Sequence, residues 1–233
     1  MRIKAAVAAL VAAAVLAPAP GATASSTRTI TLDGVSVALP QGSSQVITVR
    51  HTHGTYAMVT LWTQVNGRWE RIARTASGRT GYGGLVDGTS RKQGSGTTPL
   101  GTYNLPYTFG SQSPHAGWSM PYKKFDANDY WVEDNTSAYY NRYRSRELGG
   151  FRWNLVSPVN GSERLAAYPT QYLMSVVVAY NYYNPVHYRG AGIFLHVNGR
   201  GATAGCVSAP SWFMLVVMHD LSPNRKPVIA ISR

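Results

Sequence analysis

The residues of this chain with the clearest capacity for chemistry are its single cysteine, Cys206, and the histidine that precedes it, His196. The histidine follows a short apolar run over 193–195, and a glycine-rich segment leads from it to the cysteine. A strand that ends near the histidine and a flexible loop after it would place imidazole and thiol side by side, as in a nucleophilic thiolate activated by a general base. A helix predicted over 211–221, after Pro210, would begin close to Cys206 and lower the pKa of its thiol. The pattern favours covalent catalysis by this pair, although a lone cysteine is also commonly a small buried hydrophobic residue.

The N-terminal segment has the composition and order of a secretory signal peptide. Arg2 and Lys4 form a short positive region, an apolar stretch covers 5–16, and small residues follow at 22–24. The apolar stretch is well short of the roughly 20 residues that a membrane-spanning helix needs, which disfavours an anchor. We therefore expect 1–24 to be removed on export and the mature protein to be secreted, in or near the cell wall.

Export to an oxidising compartment bears on the function of the lone cysteine. Secreted domains usually use cysteines in disulfide pairs, and a single exported cysteine indicates an intermolecular bridge or a reactive thiol. One cysteine excludes an internal disulfide. A free Cys206 in an oxidising compartment therefore favours a catalytic function over a purely structural one.

The chain is basic, with 22 lysine and arginine residues against 10 aspartate and glutamate residues and a formal net charge of +12. The basic residues are scattered rather than clustered, which argues against nucleic acid as a partner. In an exported protein this charge favours contact with anionic cell-wall polymers. A solvated basic surface without a specific partner is the alternative.

The hydrophobic pattern predicts a mainly β domain with one helix beside the cysteine. Strands are expected over 45–50, 56–64, 69–75, 102–107, 172–180, 192–197 and 226–232. Asn66-Gly67 is typical of a two-residue hairpin turn. We expect three segments, which are the signal peptide 1–24, a lead-in over 25–44 with one edge strand, and a catalytic domain over 45–233.

The middle of the chain, 110–170, mixes aromatic and polar residues without strong periodicity. Loops of this length usually bind something, so the aromatic side chains could stack on sugar or peptide, or fill satellite cores under the loops. His51 and His53 share one face of an extended segment, but no carboxylate or thiol accompanies them. We therefore predict no metal site, and no cofactor.

Two sequence elements occur together in this chain, one around the cysteine and one about a hundred residues upstream of it. One is His196 followed by Thr203-Ala204-Gly205-Cys206-Val207-Ser208, and the other is the upstream element Thr98-Pro99-Leu100-Gly101-Thr102-Tyr103. Together they resemble the L,D-transpeptidase catalytic domain family of the YkuD/ErfK type, whose histidine precedes a Ser/Thr-x-Gly-Cys motif. The resemblance covers roughly 78–232, and it implies a β-sandwich or barrel with one helix after the catalytic cysteine loop. Ala204 departs from the family, many of whose members have histidine there.

The resemblance implies a peptidoglycan enzyme that forms 3→3 cross-links between stem peptides, or an L,D-carboxypeptidase. Cys206 would attack the carbonyl between residue three, a diamino acid, and the D-residue four, giving a thioester. His196 would act as base, and main-chain N–H groups around Gly205 would hold the oxyanion. The enzyme would be a monomer without cofactor, and carbapenems would acylate it.

The resemblance also implies substrate contacts near the motif, at Thr203, Ala204, Ser208 and Asn198. A main-chain carbonyl would orient His196, with the side chain of Asn198 as the other candidate.

Two other functions fit parts of the sequence. A sortase-like cysteine transpeptidase also has a histidine before a cysteine and then an arginine, for which Arg225 is available. A non-catalytic cell-wall-binding module could use the aromatic middle segment and the positive charge. The glycine directly before Cys206 and the Thr98-Pro99-Leu100-Gly101 element favour the L,D-transpeptidase prediction over both.

Overall fold

The computed structural model describes residues 27–233. The signal peptide predicted over 1–24 lies outside the described residues. The first strands are β1 (Thr27–Leu32), β2 (Val35–Pro40), β3 (Gln45–His53), β4 (Tyr56–Val65), β5 (Arg68–Arg79), β6 (Leu85–Asp87), β7 (Thr98–Asn104) and β8 (Thr108–Gly110). The later ones are β9 (Tyr122–Lys124), β10 (Asp129–Trp131), β11 (Tyr143–Ser145), β12 (Glu163–Arg164), β13 (Ser175–Val177), β14 (Phe194–Val197), β15 (Val207–Ala209) and β16 (Val228–Ser232).

Helical structure is sparse. The one α-helix of the described chain, α1 (Ser211–Asp220), follows β15. Short 3₁₀ turns occur at Arg146–Leu148, Leu165–Ala167, Gln171–Leu173 and Pro223–Arg225. The prediction of a mainly β fold with one helix after the cysteine loop is confirmed. Within 27–233 no helix has the length and apolar character required to cross a membrane.

The largest sheet has eleven strands in the order β6-β7-β16-β3-β4-β5-β15-β14-β13-β8-β9. Its centre is the antiparallel meander β3-β4-β5, to which β15 adds at one edge and β16 at the other. The predicted turn at Asn66-Gly67 joins β4 to β5, with φ of 48° and 78°, the positive values that a type I′ hairpin turn requires. Two small sheets, β1-β2 and β11-β10-β12, pack beside it.

The lead-in over 25–44 differs from the expected single edge strand. Asp33 and Gly34 have positive φ and close a complete hairpin, β1-β2. Val35, Val37 and Leu39 of β2 alternate inward and pack with Val46 and Val228. The hairpin therefore covers the outer face of β3 and β16.

The main core explains why β3 lacks the alternation of a half-exposed strand. While Val46 faces the hairpin, Ile47 and Val49 point to the opposite side, where they pack with residues of β14, β15 and α1. Because both faces are covered, the run 45–49 is buried throughout.

The aromatic middle of the chain builds a second core. Of the two uses expected for these side chains, filling a core under the loops is therefore the one that most of them have. Phe109, Trp131, Tyr140, Tyr172 and Phe194 pack together there, and Cys206 lies among them. The indole N–H of Trp131 donates to the side chain of Asn141, which satisfies its polar atom inside the core. Trp153 and Tyr168 lie on the surface instead.

The strand predicted over 172–180 is much shorter in the structure. A 3₁₀ turn (Gln171–Leu173) precedes β13 (Ser175–Val177), and the chain then leaves the sheet. Burial on both sides keeps the whole run apolar, so hydrophobicity alone does not mark where pairing ends. His51 and His53 lie at the irregular end of β3, where His51 bonds to the carbonyl of Gly54. Among the described residues no group of three or more potential ligands could hold a metal ion.

Candidate active site

His196 and Cys206 are brought together by two neighbouring parallel strands. His196 lies in β14, and Cys206 stands directly before β15, with Leu195 opposite Val207 in the register. The connection between the strands runs over 198–206 and is fixed to the end of β5, since Thr203 exchanges main-chain hydrogen bonds with Thr80 and Tyr82. Both side chains line one cleft of about 670 Å³.

The thiol of Cys206 is free and buried. Its Sγ donates to the carbonyl of Gly192 at 3.3 Å and accepts the N–H of Phe194 at 3.4 Å. Burial raises the pKa of the Cys206 thiol to about 12, with a further increase from the carboxyl of Glu163 and opposing contributions from the Phe194 N–H and Arg91.

The lowered thiol pKa expected from the sequence is therefore wrong for the resting site. Strand β15 separates Cys206 from Ser211, where helix α1 begins. The field of a helix terminus acts mainly within its first turn, so it does not reach the thiol. Desolvation dominates instead and favours the neutral thiol.

His196 is held in the tautomer that a general base requires. Its Nδ1 lies 2.8 Å from the carbonyl of Val197, and because a carbonyl only accepts, Nδ1 carries the proton. Nε2 of the neutral ring is then the basic nitrogen. Burial lowers the pKa of His196 to about 4, so the ring is neutral at neutral pH. The ring of Tyr172 meets it edge-on, with centroids 5.4 Å apart.

Gly205 occupies a position that excludes a side chain. Its φ is +131°, and a Cβ there would lie 2.7 Å from Nη2 of Arg91 and 2.9 Å from the carbonyl of Thr97. The N–H of Gly205 donates to the hydroxyl of Thr203 at 3.2 Å. That N–H is therefore occupied in the resting site, which leaves the N–H of Cys206 as the other candidate to hold an oxyanion.

Thr203 and Thr98 both hold the carbonyl of Cys206. The hydroxyl of Thr203 donates to it at 2.6 Å, and that of Thr98 at 3.4 Å. Thr98 also accepts the N–H of Gly81. The upstream Thr-Pro-x-Gly element thus clamps the cysteine turn, which accounts for its presence together with the Cys motif.

The four expected substrate contacts divide into two pairs. Thr203 and Ala204 line the cleft, and Ala204 is exposed there. Ser208 and Asn198 lie outside the cleft lining, and the structure does not indicate a substrate contact for them. The hydroxyl of buried Ser208 donates to Asn198 at 2.7 Å, and Asn198 donates to the carbonyl of Ser77 at 2.8 Å. Asn198 therefore ties three strands together and does not orient His196.

Sequence reasoning missed the five charged residues that line the cleft: Arg91, Glu133, Glu163, Arg164 and Arg200. Burial and mutual repulsion raise the pKa of Glu133 to about 8, and burial raises that of Glu163 to about 7. Tyr172 donates its hydroxyl to Glu163. The two glutamates lie in the aperiodic middle of the chain and Arg91 in a glycine-rich turn, so no local signal connects them to Cys206.

Comparison with known proteins relates most of the chain to one protein family. A protein-family model described as the L,D-transpeptidase catalytic domain (YkuD) matches residues 44–229. No curated protein matches the chain. A crystal structure of the helical cell shape determining protein Pgp2 (K307A mutant) from Campylobacter jejuni is similar at 11% identity and a TM-score of 0.40. The match covers 82% of this chain and 47% of the Pgp2 chain, so this chain spans about half the length of that protein.

Proposed function

We propose that this chain, which belongs to the L,D-transpeptidase catalytic domain (YkuD) family, is a cysteine acyltransferase that forms 3→3 cross-links between peptidoglycan stem peptides. The family acts on peptidoglycan. The observation that carries the proposal is the pair in the cleft, a free thiol on Cys206 and the imidazole of His196 with Nδ1 bonded to a main-chain carbonyl. This leaves Nε2 as a base on a buried, neutral ring.

The neutral state of both partners defines the first chemical step. With the thiol pKa raised and the imidazole pKa lowered, the resting pair is not a thiolate–imidazolium ion pair. His196 would take the thiol proton as sulfur attacks the carbonyl between residues three and four of the donor stem. The N–H of Cys206 would stabilise the oxyanion. The imidazolium would then protonate the leaving amine of the D-residue, giving a thioester on Cys206.

The second step decides between a transpeptidase and a carboxypeptidase. An amine on another stem peptide would attack the thioester to form the cross-link, whereas water would release a tripeptide. A cleft of about 670 Å³ is within the usual size range of ligand sites. Arg225, which a sortase-like mechanism would use, donates to the carbonyl of Gln64 and does not line this cleft.

The direct test of the proposed function is product analysis. Purified mature protein is incubated with disaccharide-tetrapeptides and with disaccharide-pentapeptides, and the muropeptides are separated by chromatography. We expect 3→3 dimers and some tripeptide from the tetrapeptide, and no product from the pentapeptide. Tripeptide without dimers would identify a carboxypeptidase. The absence of both dimers and tripeptide would contradict the enzyme proposal and favour a wall-binding module.

Export is part of the proposal, since stem peptides are cross-linked outside the cytoplasm. The positive region, the apolar stretch over 5–16 and the small residues at 22–24 occur in the order of a signal peptide. N-terminal sequencing of secreted material should begin at or near Ser25, with the net charge lowered from +12 by the loss of Arg2 and Lys4. Exported protein that still carries Met1 would contradict this prediction.

A further inference from the structure

The sulfur of Cys206 rests against a main-chain segment whose own conformation needs support. The carbonyl of Gly192 accepts the thiol, and the N–H of Phe194 donates to Sγ. Strand β14 begins only at Phe194. Before it, Gly190 and Gly192 have φ of 108° and 63°, values that few residues other than glycine adopt. Because glycine is conformationally free, contacts from elsewhere in the chain must hold these two residues, and with them the sulfur, in place.

Two consecutive side chains, Tyr140 and Asn141, supply these contacts. The hydroxyl of Tyr140 accepts the N–H of Gly190 at 3.1 Å. The Oδ1 atom of Asn141 accepts the N–H of Gly192, also at 3.1 Å. Gly192 is therefore bonded through both of its polar groups, with its N–H on Asn141 and its carbonyl on the thiol. A displacement of the Asn141 carboxamide would shift the carbonyl that the thiol contacts.

The carboxamide of Asn141 is buried, with 1% of the residue exposed, and it is fully hydrogen-bonded. Its Oδ1 also accepts the indole N–H of Trp131 at 2.8 Å, and its Nδ2 donates to the carbonyls of Tyr180 and Asn181 at 3.1 and 2.6 Å. A carboxamide accepts two hydrogen bonds and donates two, so its capacity is used completely. Since two of the partners can only donate and two can only accept, they fix the orientation of the amide. Four bonds from three parts of the chain thus hold Oδ1 in one place.

We infer that Asn141, supported by Tyr140, is a positioning residue that fixes the Gly192 carbonyl and through it the reacting sulfur. This inference rests on the proposed function. Asn141 does not line the cleft, so its effect on the reaction passes through Gly192. A misplacement of a reacting atom by about 1 Å can cost about a hundredfold in rate. Loss of the carboxamide should therefore slow acylation and leave binding of the acyl donor unchanged.

The test separates the rate of acylation from the affinity for the donor. Single-turnover acylation of the mature protein by a carbapenem, followed over a range of concentrations, gives the rate constant at saturation and the half-saturating concentration. In Asn141→Ala we expect the rate constant to fall by about ten- to a hundredfold, with a half-saturating concentration close to that of wild type. Tyr140→Phe keeps the ring and loses the hydroxyl that holds Gly190, so it should cause a decrease in the same direction that is smaller.

A second buried carboxamide, that of Gln45, provides the matched control. Gln45 is 1% exposed and does not line the cleft. Its side chain donates to Thr63 and Asp220 and accepts the N–H of Ser222. Gln45→Ala should therefore lower the free energy of unfolding, as Asn141→Ala does, but its folded form should be acylated at the wild-type rate. Equal slowing in both variants would mean that any loss of packing slows the reaction, and it would overturn the inference.

Asn141→Asp adds a pH dependence that wild type should lack. The new side chain keeps an oxygen for the N–H of Gly192, but as a carboxylate it would face the carbonyls of Tyr180 and Asn181. Burial and these carbonyls favour its protonated form, which can donate one hydrogen bond again. As the pH falls from about 8 to about 5, acylation of the folded variant should increase about tenfold, on the scale of one regained hydrogen bond. The wild-type rate should stay constant over this range because His196 remains neutral.

The possible failures of the two proposals can be told apart. A folded Asn141→Ala that is acylated as fast as wild type, or a pH profile of Asn141→Asp parallel to that of wild type, would overturn the inference and leave the proposed function intact. If neither variant of Asn141 folds, Tyr140→Phe decides the matter, because an unchanged rate in that variant would also overturn the inference. A folded wild-type protein that forms no adduct with the carbapenem or with a disaccharide-tetrapeptide would overturn the proposed function and the inference with it.

Discussion

Replacement of Cys206 by alanine should abolish product formation and leave the fold intact. The side chain supplies the only thiol of the chain, and no other described nucleophile shares its position beside His196. The change removes one sulfur atom and two weak hydrogen bonds, to Gly192 and Phe194, at a cost of about 1–2 kcal/mol of unfolding free energy. Muropeptide chromatography measures the lost activity, and thermal unfolding measures the retained fold.

A second substitution at the same position separates chemistry from packing. Cys206→Ser keeps a polar atom near the Gly192 carbonyl but replaces the thiol by a weaker nucleophile, so it should be as inactive as Cys206→Ala. Formation of 3→3 dimers by either variant would contradict the assignment of Cys206 as nucleophile. Loss of activity together with loss of the folded state would instead show that the residue is needed for packing.

Replacement of His196 by alanine should slow acylation by about 10²–10⁴, the usual contribution of a general base. The reason lies in the resting thiol, whose pKa burial raises to about 12, so that very little thiolate exists without a base. Acylation is followed in single-turnover experiments with a carbapenem. His219→Ala, an exposed residue of α1 outside the cleft, serves as the matched control and should react as wild type.

The pH dependence of the two proteins should differ in a defined way. In wild type, His196 is neutral above its lowered pKa of about 4, so acylation falls only when the pH approaches that value. In His196→Ala, the rate depends on the fraction of Cys206 that is already ionised at the pH of the experiment. Below the thiol pKa this fraction increases about tenfold per pH unit. Equal rates and parallel profiles for the two proteins would contradict the role of His196.

The sequence was sufficient for features that depend on neighbouring residues. Asn66-Gly67 predicted its hairpin because the turn needs two residues that tolerate positive φ, and the structure has that turn. His196 and Cys206 could be paired because an apolar run and a glycine-rich loop connect them within a short stretch. The helix after Pro210 was evident from its continuous apolar character and begins at Ser211.

Features that depend on distant residues could not be predicted in the same way. The thiol pKa follows from burial in the aromatic core and from Glu163, and neither can be inferred from the residues next to Cys206. Glu133 and Glu163 reach the site through an aperiodic segment that folds around Trp131. The structural function of Ser208 depends on its hydrogen bond to Asn198, which the parallel register of β14 and β15 makes possible.

The boundary expected between the lead-in over 25–44 and the catalytic domain also depends on contacts between distant residues. The lead-in over 25–44 is polar and rich in serine and threonine, which suggested a segment outside the catalytic domain. Leu39 and its neighbours on β2 nevertheless pack against β3 and β16. We therefore propose that the folded unit includes the β1-β2 hairpin, and that truncation before β3 would expose Val46 and Val228 to solvent.

Intact-protein mass spectrometry shows whether Cys206 forms a thioester with the acyl part of a stem peptide. Mature protein is mixed with disaccharide-tetrapeptide, quenched in acid, and then digested to locate any adduct. We expect a mass increase equal to the donor minus its D-residue four, located on the peptide that contains Cys206. This increase should be absent in Cys206→Ala and should be removed by an amine acceptor. A folded wild-type protein that gains no mass, or that is modified at another residue, would contradict it.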